Sequence, residues 1–259
     1  MRYTETPAPP PLSAWVRCFW FLAAEAGGPQ PVVPDGRLEI IIHRADPFSE
    51  IKPDGTVQRQ DVVMVSGQIT RPVLLAPGAV ADIVGIRFRT AGARDLLGLP
   101  LHELTNHVIP LSAVDRSLAV ALERAAHAPD AGHQLTGVLL DHARARRADH
   151  TARAVNRLGR GDRIAAIARD LRISTRTFER RVRDDTGLTP KVLQRVIRFR
   201  SLYARLQSGE ETWAQAAAAA GYYDQAHANR DFRAFAGASP SEHFAQSPEL
   251  AQAILSHSS

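Results

Sequence analysis

Residues 174–187 carry polar side chains in a pattern that one helix could present on an exposed face. Ser174 and Gly187 bound the segment, and these residue types favour the N-cap and the C-terminal end of a helix. The polar residues outside its apolar stripe are Thr175, Arg176, Glu179, Arg180 and Arg183. Arginine is the best suited of them to contact a base, because its planar guanidinium matches the two acceptors of guanine. The segment therefore predicts hydrogen bonds to base edges in the major groove.

A second helix is predicted just before this one, in residues 162–171. Its apolar residues recur at i, i+3, i+4 and i+7, which makes one face suited to packing; they are Ile164, Ile167, Ala168 and Leu171. In the following helix, Phe178, Val182 and the stem of Arg181 are expected to face the core. Two short helices with a tight turn are typical of a helix-turn-helix, in which the second helix enters the major groove. The alternative is an ordinary helical hairpin.

The same arrangement occurs a second time near the C-terminus, which favours the helix-turn-helix over the hairpin. A long amphipathic helix with basic residues is predicted in residues 189–209. A short helix follows in residues 212–220, then a turn at 221–223 and a helix that is capped by Asp224 and ends at Gly237. The long helix is expected to hold the two units about one DNA turn, 34 Å, apart.

Residues 162–244 resemble the DNA-binding domain of AraC/XylS-type transcription regulators. The second unit carries the more specific match, in residues 220–227, 230–233 and 237–240. The first unit is similar in residues 174–180 and 186–190, and residues 198–200 resemble part of the connecting helix. The resemblance covers roughly a third of the chain and implies a double helix-turn-helix domain that binds double-stranded DNA.

The resemblance also implies which side chains face the bases. The family's base-facing positions correspond here to Arg176, Glu179 and Arg180 in the first unit and to Gln225, Ala226, Asn229 and Arg230 in the second. With Ser174, Thr175 and Arg183, these residues make up the predicted DNA-binding set. The sequence departs from the family at Ala226, at Ala228 and in the alanine run 216–220. We therefore expect the first unit, with its two arginines, to carry more of the base specificity.

The charge of the chain is distributed unevenly between its two parts. Residues 1–150 hold 15 Lys and Arg against 16 Asp and Glu, whereas residues 151–259 hold 17 against 11. The whole net charge of +5 therefore comes from the C-terminal part. A basic C-terminal part favours a nucleic-acid partner, and an arginine-rich but otherwise ordinary surface is the alternative.

Several classes of protein are disfavoured by composition. The longest apolar runs are too short for a membrane helix, so we expect no membrane partner. The first residues lack the apolar stretch of a secretory signal. Cys18 is the only cysteine, which excludes an internal disulfide and disfavours a zinc site built on cysteines. These features together favour a cytoplasmic protein.

The first half of the chain has the short, turn-bounded apolar runs typical of β-strands. Strands are predicted at 17–22, 38–43, 62–65, 73–75 and 83–88, in a small sandwich or barrel, and helices at 113–128 and 133–147. The predicted fold class is thus α+β: a β-rich domain with helices over residues 1–150, then an all-α domain of two helix-turn-helix units joined by a long helix over residues 151–259. Residues 143–150 are the candidate linker, or the solvated end of a helix.

The first half also resembles the sensor-like domain that precedes this kind of DNA-binding domain in some members of the family. The similar segments are 15–20, 33–41 and 85–88. In the family such domains bind a small molecule, form dimers, or do both. The resemblance therefore implies a small-molecule effector, whose identity the sequence does not give, and a homodimer as possible partners.

Other sites in the first half are disfavoured. Glu39, His43 and Asp46 lack the spacing of a metal site, so His43 is interpreted as a surface or satisfied polar residue. Cys18 lies among aromatics without a lysine or histidine beside it, which is typical of an inert buried thiol. The aromatic residues Trp15, Phe19, Trp20 and Phe21 are expected in the core, with a pocket role for one of them as the alternative. We expect no metal, no cofactor and no catalytic residue.

Taken together, the residues predict a sequence-specific DNA-binding transcription regulator, controlled through its N-terminal domain, that is not an enzyme. One alternative is an enzyme-like β domain tethered to a DNA-binding tail. Another is a non-specific chromatin-type binder, which would show a steep salt dependence and little sequence preference.

Overall fold

The computed structural model describes residues 2–25, 27–143, 151–209 and 211–246, and the structural statements below concern these residues. They form a β-rich N-terminal part and an all-helical C-terminal part, which confirms the α+β fold class. Of the predicted linker 143–150, all but Ala143 lies outside the described residues, and the domain boundary at 150 stays a prediction. No helix in these ranges is both long and apolar enough to cross a membrane.

The N-terminal part contains two antiparallel sheets. The strands are β1 (Arg2–Pro7), β2 (Val16–Glu25), β3 (Gln30–Val32), β4 (Glu39–His43), β5 (Ser49–Ile51), β6 (Val57–Arg59), β7 (Val63–Ser66), β8 (Val73–Ala76), β9 (Val80–Phe88) and β10 (Val108–Pro110). Six of them form a sheet in the order β1-β2-β9-β4-β7-β10, and four form a second sheet in the order β3-β8-β5-β6. Strands β2, β4, β7, β8 and β9 confirm the five predicted ones. The other five are short or polar and give little apolar signal.

The six-stranded sheet separates two apolar clusters. Its larger cluster packs against α1 (Ala93–Leu97), α2 (Arg116–Ala126), α3 (Ala131–Ala143) and the 3₁₀ turn of residues 101–104. A smaller cluster, which includes Trp20, Phe48 and Ile83, lies on the side of the four-stranded sheet. Trp20 lies over Gly85, where an added Cβ would come within 1.8 Å of the indole. The absence of a side chain at Gly85 therefore allows the long strands β2 and β9 to pair beneath a tryptophan.

Seven helices follow in the C-terminal residues that the structure describes. They are α4 (Thr151–Gly159), α5 (Ile164–Asp170), α6 (Thr175–Thr186), α7 (Pro190–Ser208), α8 (Trp213–Ala219), α9 (Gln225–Ala236) and α10 (Pro240–Ala245). One apolar core connects all the units, and Phe199 and Phe232 lie within it without exposed surface. Helix α4, whose pattern is not singled out in the sequence, packs with this core through residues 154–158.

The two parts are in direct contact. Arg94 of α1 forms an ion pair with Asp185 of α6, and the Thr105 hydroxyl donates to the Gly187 carbonyl at 2.6 Å. In a third contact, Arg200 of α7 donates to the Asp35 carbonyl at 3.1 Å. Since each contact joins a residue of the first part to one of α6, its C-cap or α7, the junction touches the elements that position the helix-turn-helix units.

Candidate nucleic-acid interface

The first helix-turn-helix unit is α5, a tight turn and α6. The Ser174 hydroxyl accepts from the Thr177 amide at 3.1 Å, which confirms the predicted N-cap. Helix α6 ends at Gly187, whose φ of 84° lies in the left-handed region that glycine tolerates best. The caps thus define a helix of 12 residues between Ser174 and Gly187.

The second unit, α8 and α9, repeats these features with stronger caps. Thr212 and Gln215 form a reciprocal capping box at the start of α8. The Asp224 carboxylate accepts from the His227 amide at 2.6 Å and so caps α9, which ends at Gly237 with a φ of 79°. The two units therefore share one construction, as the repeated pattern in the sequence predicts.

The turns of the two units differ at one position. Gly221 has a φ of 83°, and its counterpart Arg172 has a φ of 55°, although arginine bears a Cβ. In both turns the next amide donates to a carbonyl five residues back, from Ile173 to Ala168 and from Tyr222 to Ala217. Left-handed backbone costs a residue with a side chain about 1–2 kcal/mol.

We expect the two turns to respond in opposite directions to substitution. Gly221→Ala should lower the free energy of unfolding by about 1 kcal/mol, and Arg172→Gly should raise it by about 0.5–1 kcal/mol. A Cβ at Gly221 would lie 3.8 Å from the Arg198 side chain, so its cost comes from the backbone and not from a clash. Urea unfolding of both variants measures the effects. A loss of stability in Arg172→Gly would show that the arginine side chain makes a favourable contact that outweighs its backbone strain.

All ten residues of the predicted DNA-binding set are exposed. They are Ser174, Thr175, Arg176, Glu179, Arg180, Arg183, Gln225, Ala226, Asn229 and Arg230. Phe178 and Val182 of α6 and Phe232 of α9 are buried, so each helix turns a polar face outward. Contact of these residues with bases remains a prediction. Two predictions about the packed face are wrong: Leu171 is 42% exposed because it lies at the C-cap of α5, and Arg181 is exposed because its position, about 60° from Phe178 around the helix, lies at the edge of the buried stripe.

Helix α7 is the frame on which both units are mounted. Its 19 residues span about 28 Å at 1.5 Å per residue. Two of its basic residues act inside the domain: Arg195 pairs with Asp231 of α9 at 2.8 Å, and Arg198 lies over the Tyr222 ring at 5.6 Å. These arginines fix the second unit against the frame.

A buried polar pair anchors the end of the frame. The Tyr203 hydroxyl and Nε2 of His243 lie 2.9 Å apart, and Tyr203 stacks on Phe232. Burial lowers the pKa of His243 below its usual value, which favours the neutral ring. The pair therefore joins α7 to α10 without placing a charge in the core.

A groove of about 710 Å³ runs along the exposed side of α6. Arg176, Arg180 and Arg183 line one wall, and Lys191 at the start of α7 adds a further cation. The N-terminal part borders the groove at His102, whose Nδ1 lies 3.1 Å from Asp184. The groove is thus cationic and is bounded by both parts of the protein.

Two surface residues near the helix-turn-helix units are not in the predicted DNA-binding set. Tyr223 is 94% exposed in the turn that leads into α9. A tyrosine in that position can contact a DNA backbone through its hydroxyl. Lys191 is not in the predicted set because it follows a helix-starting proline and lies outside α6 and α9. The signal for Tyr223 is an aromatic residue within a predicted turn.

The disfavoured sites of the N-terminal part have structural roles. Glu39 is bonded to Arg87 at 2.5 Å and accepts from the Trp20 indole at 3.2 Å. His43 is buried rather than on the surface, its Nε2 lies 3.2 Å from Gln60, and burial lowers its pKa to about 4. Burial raises the pKa of the Cys18 thiol to about 12. Within the described ranges, no group of three metal-ligating side chains comes together.

A small apolar cavity lies between the two sheets. Trp20, Phe48 and Met64 line it, so Trp20, one of the four aromatic residues near the N-terminus, borders this pocket. Its volume of about 90 Å³ is well below the roughly 300–1,000 Å³ typical of ligand sites. In this conformation it accommodates only a very small ligand.

Both parts of the chain match known protein families. Residues 167–246 match the family described as a helix-turn-helix domain, and residues 4–110 match a family described as a domain of unknown function, DUF6597. No curated protein matches the chain.

Solved structures with a similar fold include two of ToxT from Vibrio cholerae. One, at 1.65 Å resolution, is 11% identical with a TM-score of 0.49 and covers 94% of this chain and 98% of that one. The other holds (E)-4-(8-methylnaphthalen-1-yl)but-3-enoic acid, is 12% identical with a TM-score of 0.48, and has the same coverage. The AraC-like transcriptional activator CuxR is 14% identical with a TM-score of 0.29, covering 78% and 80%.

Three findings indicate the same kind of domain in the C-terminal part. They are the repeated caps, the exposed polar faces and the matched family. The chain carries a helix-turn-helix domain at its C-terminus, behind a β-rich N-terminal domain, and such domains bind DNA.

Proposed function

We propose that the protein regulates transcription by inserting α6 and α9 into two successive major-groove segments of one DNA site. The observation that carries this proposal is the pair of exposed polar helix faces mounted on the single frame α7. A frame of about 28 Å brings two helices close to the separation of one DNA turn, about 34 Å. Such a regulator acts where the chromosome lies, in the cytoplasm.

Within this proposal the two helices contribute unequally. Arg176 and Arg180 present guanidinium groups that suit guanine, whereas Gln225 and Asn229 suit adenine. Ala226 offers a methyl contact alone. Arg183 and Lys191 are placed to contact phosphates, which position the protein without selecting a sequence. We therefore expect a sharper base preference in the half of the site bound by α6.

Control of DNA binding is proposed to act through the N-terminal domain, by a small-molecule effector, by dimerisation, or by both. The contacts of Arg94 and Thr105 with the end of α6 and its C-cap support this, because a rearrangement of the N-terminal domain would shift that end. We further infer a non-enzymatic role for this domain. In support, Glu39 is engaged by Arg87, and Cys18 is buried.

The direct test is selection of bound sequences from a random DNA pool at near-physiological salt with the full-length protein. We expect a motif with two blocks about one helical turn, or 10 base pairs, apart. A single block would contradict the use of both units. If no motif emerges and binding disappears as salt rises, the basic domain is a non-specific electrostatic anchor.

A substitution in α6 tests the assignment of its base-contacting face. Arg180→Ala should weaken binding to the selected site by about 1–3 kcal/mol and relax the preference at one base pair. Arg181→Ala is the matched control, because it removes the same charge from an exposed position on another face of α6. Fluorescence anisotropy against the selected site and its single-base variants measures both effects. Equal base preferences in the two variants would show that Arg180 is not a base contact.

A further inference from the structure

A cleft of about 450 Å³ lies at the junction of the two parts, and its described lining residues include none from α6 or α9. Its walls come from both: Trp15, Arg17, Arg37 and Arg89 belong to the N-terminal part, and Asn156 and Arg200 to the helical part. This volume falls within the range of about 300–1,000 Å³ that is typical of small-molecule sites. It is five times that of the apolar cavity between the sheets.

The cleft concentrates positive charge. Among the lining residues that the structure describes, four are arginines and one, Asp95, is acidic. A second carboxylate, Asp35, lies behind the wall and accepts from the Arg37 backbone amide at 3.0 Å. Even with both carboxylates counted, the arginines outnumber the acids by two.

The cations in this cleft are partly removed from water. Arg37 is 6% exposed, and Arg200 is half-buried with its NH1 donating to the Asp35 carbonyl at 3.1 Å. Burial lowers the pKa of Arg37 to about 10. The nearby Asp35 carboxylate raises this pKa, and the Arg200 cation lowers it further. Burial likewise lowers the pKa of Arg200, with Arg17 adding to the lowering. These charges therefore oppose one another, and an anion among them would relieve that repulsion.

We propose that this cleft binds a small metabolite with at least two negatively charged oxyanion groups, and that this anion is the effector. Guanidinium groups suit this chemistry because their planar fork bonds carboxylate or phosphoryl oxygens in pairs. Organic polyacids and phosphoesters share these groups. The role of the anion as effector rests on the proposed regulatory function. The proposal that the cleft binds an anion does not depend on that function.

The position of Arg200 gives the anion a route to the DNA-binding units. Arg200 belongs to α7, the frame of both units, while Arg37 and Arg89 belong to the N-terminal part. An anion held by both sides connects the frame to the N-terminal domain. Because coupling between two binding sites is reciprocal, the anion changes DNA affinity by the same factor as DNA changes anion affinity.

The test is calorimetric titration of the full-length protein with citrate and, separately, with pyrophosphate, at constant ionic strength set by chloride. Citrate represents the carboxylates and pyrophosphate the phosphoryl group, so the tighter binder identifies the source of the anion. We expect Arg200→Gln and Arg89→Gln each to weaken binding of the tighter probe by about tenfold or more, because hydrogen bonds between charged groups are lost. Arg89 is exposed and donates to the Ser13 carbonyl at 2.5 Å, so its replacement removes one surface hydrogen bond and no buried contact of the core.

Two control variants separate the cleft from other basic surfaces. Arg124→Gln removes an exposed charge from α2 outside the cleft, and Arg180→Ala removes one from the DNA-binding face. Both should bind the probe as the wild type does. Loss of binding in Arg180→Ala but not in the cleft variants, or failure of both probes to bind the wild type, overturns the proposal.

The same samples are titrated with the selected DNA site, without and with the tighter probe. A change of DNA affinity in the wild type that is absent in Arg200→Gln supports the effector role. Unchanged DNA affinity on addition of the probe refutes that role and leaves the regulatory function intact. Absence of sequence-specific DNA binding would instead contradict the proposed function, whatever the probe does.

Discussion

Replacing Arg195 by methionine is expected to destabilise the helical part by about 3–5 kcal/mol, because it removes both arginine hydrogen bonds from a buried carboxylate whose other ion-pair neighbour, His227, lies at 3.9 Å. The side chain of Asp231 is 4% exposed, and both Nε and NH2 of Arg195 donate to it, at 2.9 and 2.8 Å. The Arg195 guanidinium also lies 5.1 Å from the centre of the Phe235 ring. One side chain thus positions α9 against α7 through charge, hydrogen bonds and ring contact.

The effect should extend to DNA binding. With α9 loosened, the protein should lose the block of its DNA site that α9 contacts while it keeps the block contacted by α6. Urea unfolding followed by Trp213, which packs on Phe232, measures the stability, and binding to sites with one or two blocks measures the second consequence.

Two further variants make the Arg195 experiment decisive. Arg205→Met removes another arginine of α7 whose partner Glu211 is more exposed, and it should cost no more than about 1 kcal/mol, as surface pairs do. Adding Asp231→Asn to Arg195→Met should restore part of the stability, since the uncompensated charge is then gone. A double variant no more stable than the single one would show that packing by Arg195, and not charge, holds α9.

The second large effect is expected at Arg87, the largest side chain with no exposed surface. Its guanidinium lies between Glu5 of β1 and Glu39 of β4. Burial opposes its charge, but Glu39, Tyr3 and the neighbouring carboxylates outweigh burial and keep the pKa of Arg87 above its usual value. Arg87→Met would leave two carboxylates facing each other inside the sheet, at a cost of about 3–5 kcal/mol.

Unfolding of the N-terminal domain measures this loss. A Trp213→Phe background leaves the fluorescence of Trp15 and Trp20, both in that domain, as the signal. Arg59→Met on the exposed strand β6 is the control and should leave the unfolding midpoint unchanged. Glu39→Gln added to Arg87→Met should recover part of the loss. Wild-type stability in Arg87→Met would contradict a structural role for the ion pairs.

Local patterns were sufficient for the helical half of the molecule. Ser174 and Asp224 cap the helices as predicted, and Gly187 and Gly237 end them. These features depend on residues within one or two turns of each other, so the sequence carries them directly. The same locality explains why the long strands β2 and β9 were predicted, whereas β1, whose residues alternate without a strong apolar signal, was not.

Side chains that act across the sequence were harder to anticipate. The spacing of Glu39 and His43 disfavours a metal site, but it does not indicate their actual partners, which are Arg87 and Gln60. Arg195 and Arg198 belonged to a basic helix face in the sequence, but in the fold they are bound to Asp231 and Tyr222. A residue's partner in a salt bridge is fixed by the packing of distant elements, and periodicity along one helix does not contain that information.

The sequence by itself determined the two helix-turn-helix units, their caps and the polar faces that they expose, because helix periodicity and capping act over a few residues. Only the tertiary structure decided which arginines point to solvent, which hold α9 in place, and which converge with Arg37 and Arg200 on one cleft. Arg37 and Arg200 are 163 positions apart in the chain, and their approach depends on how the sheets pack against α7. The proposed DNA-binding surface is therefore a local property of the sequence, whereas the proposed effector site is a product of the junction.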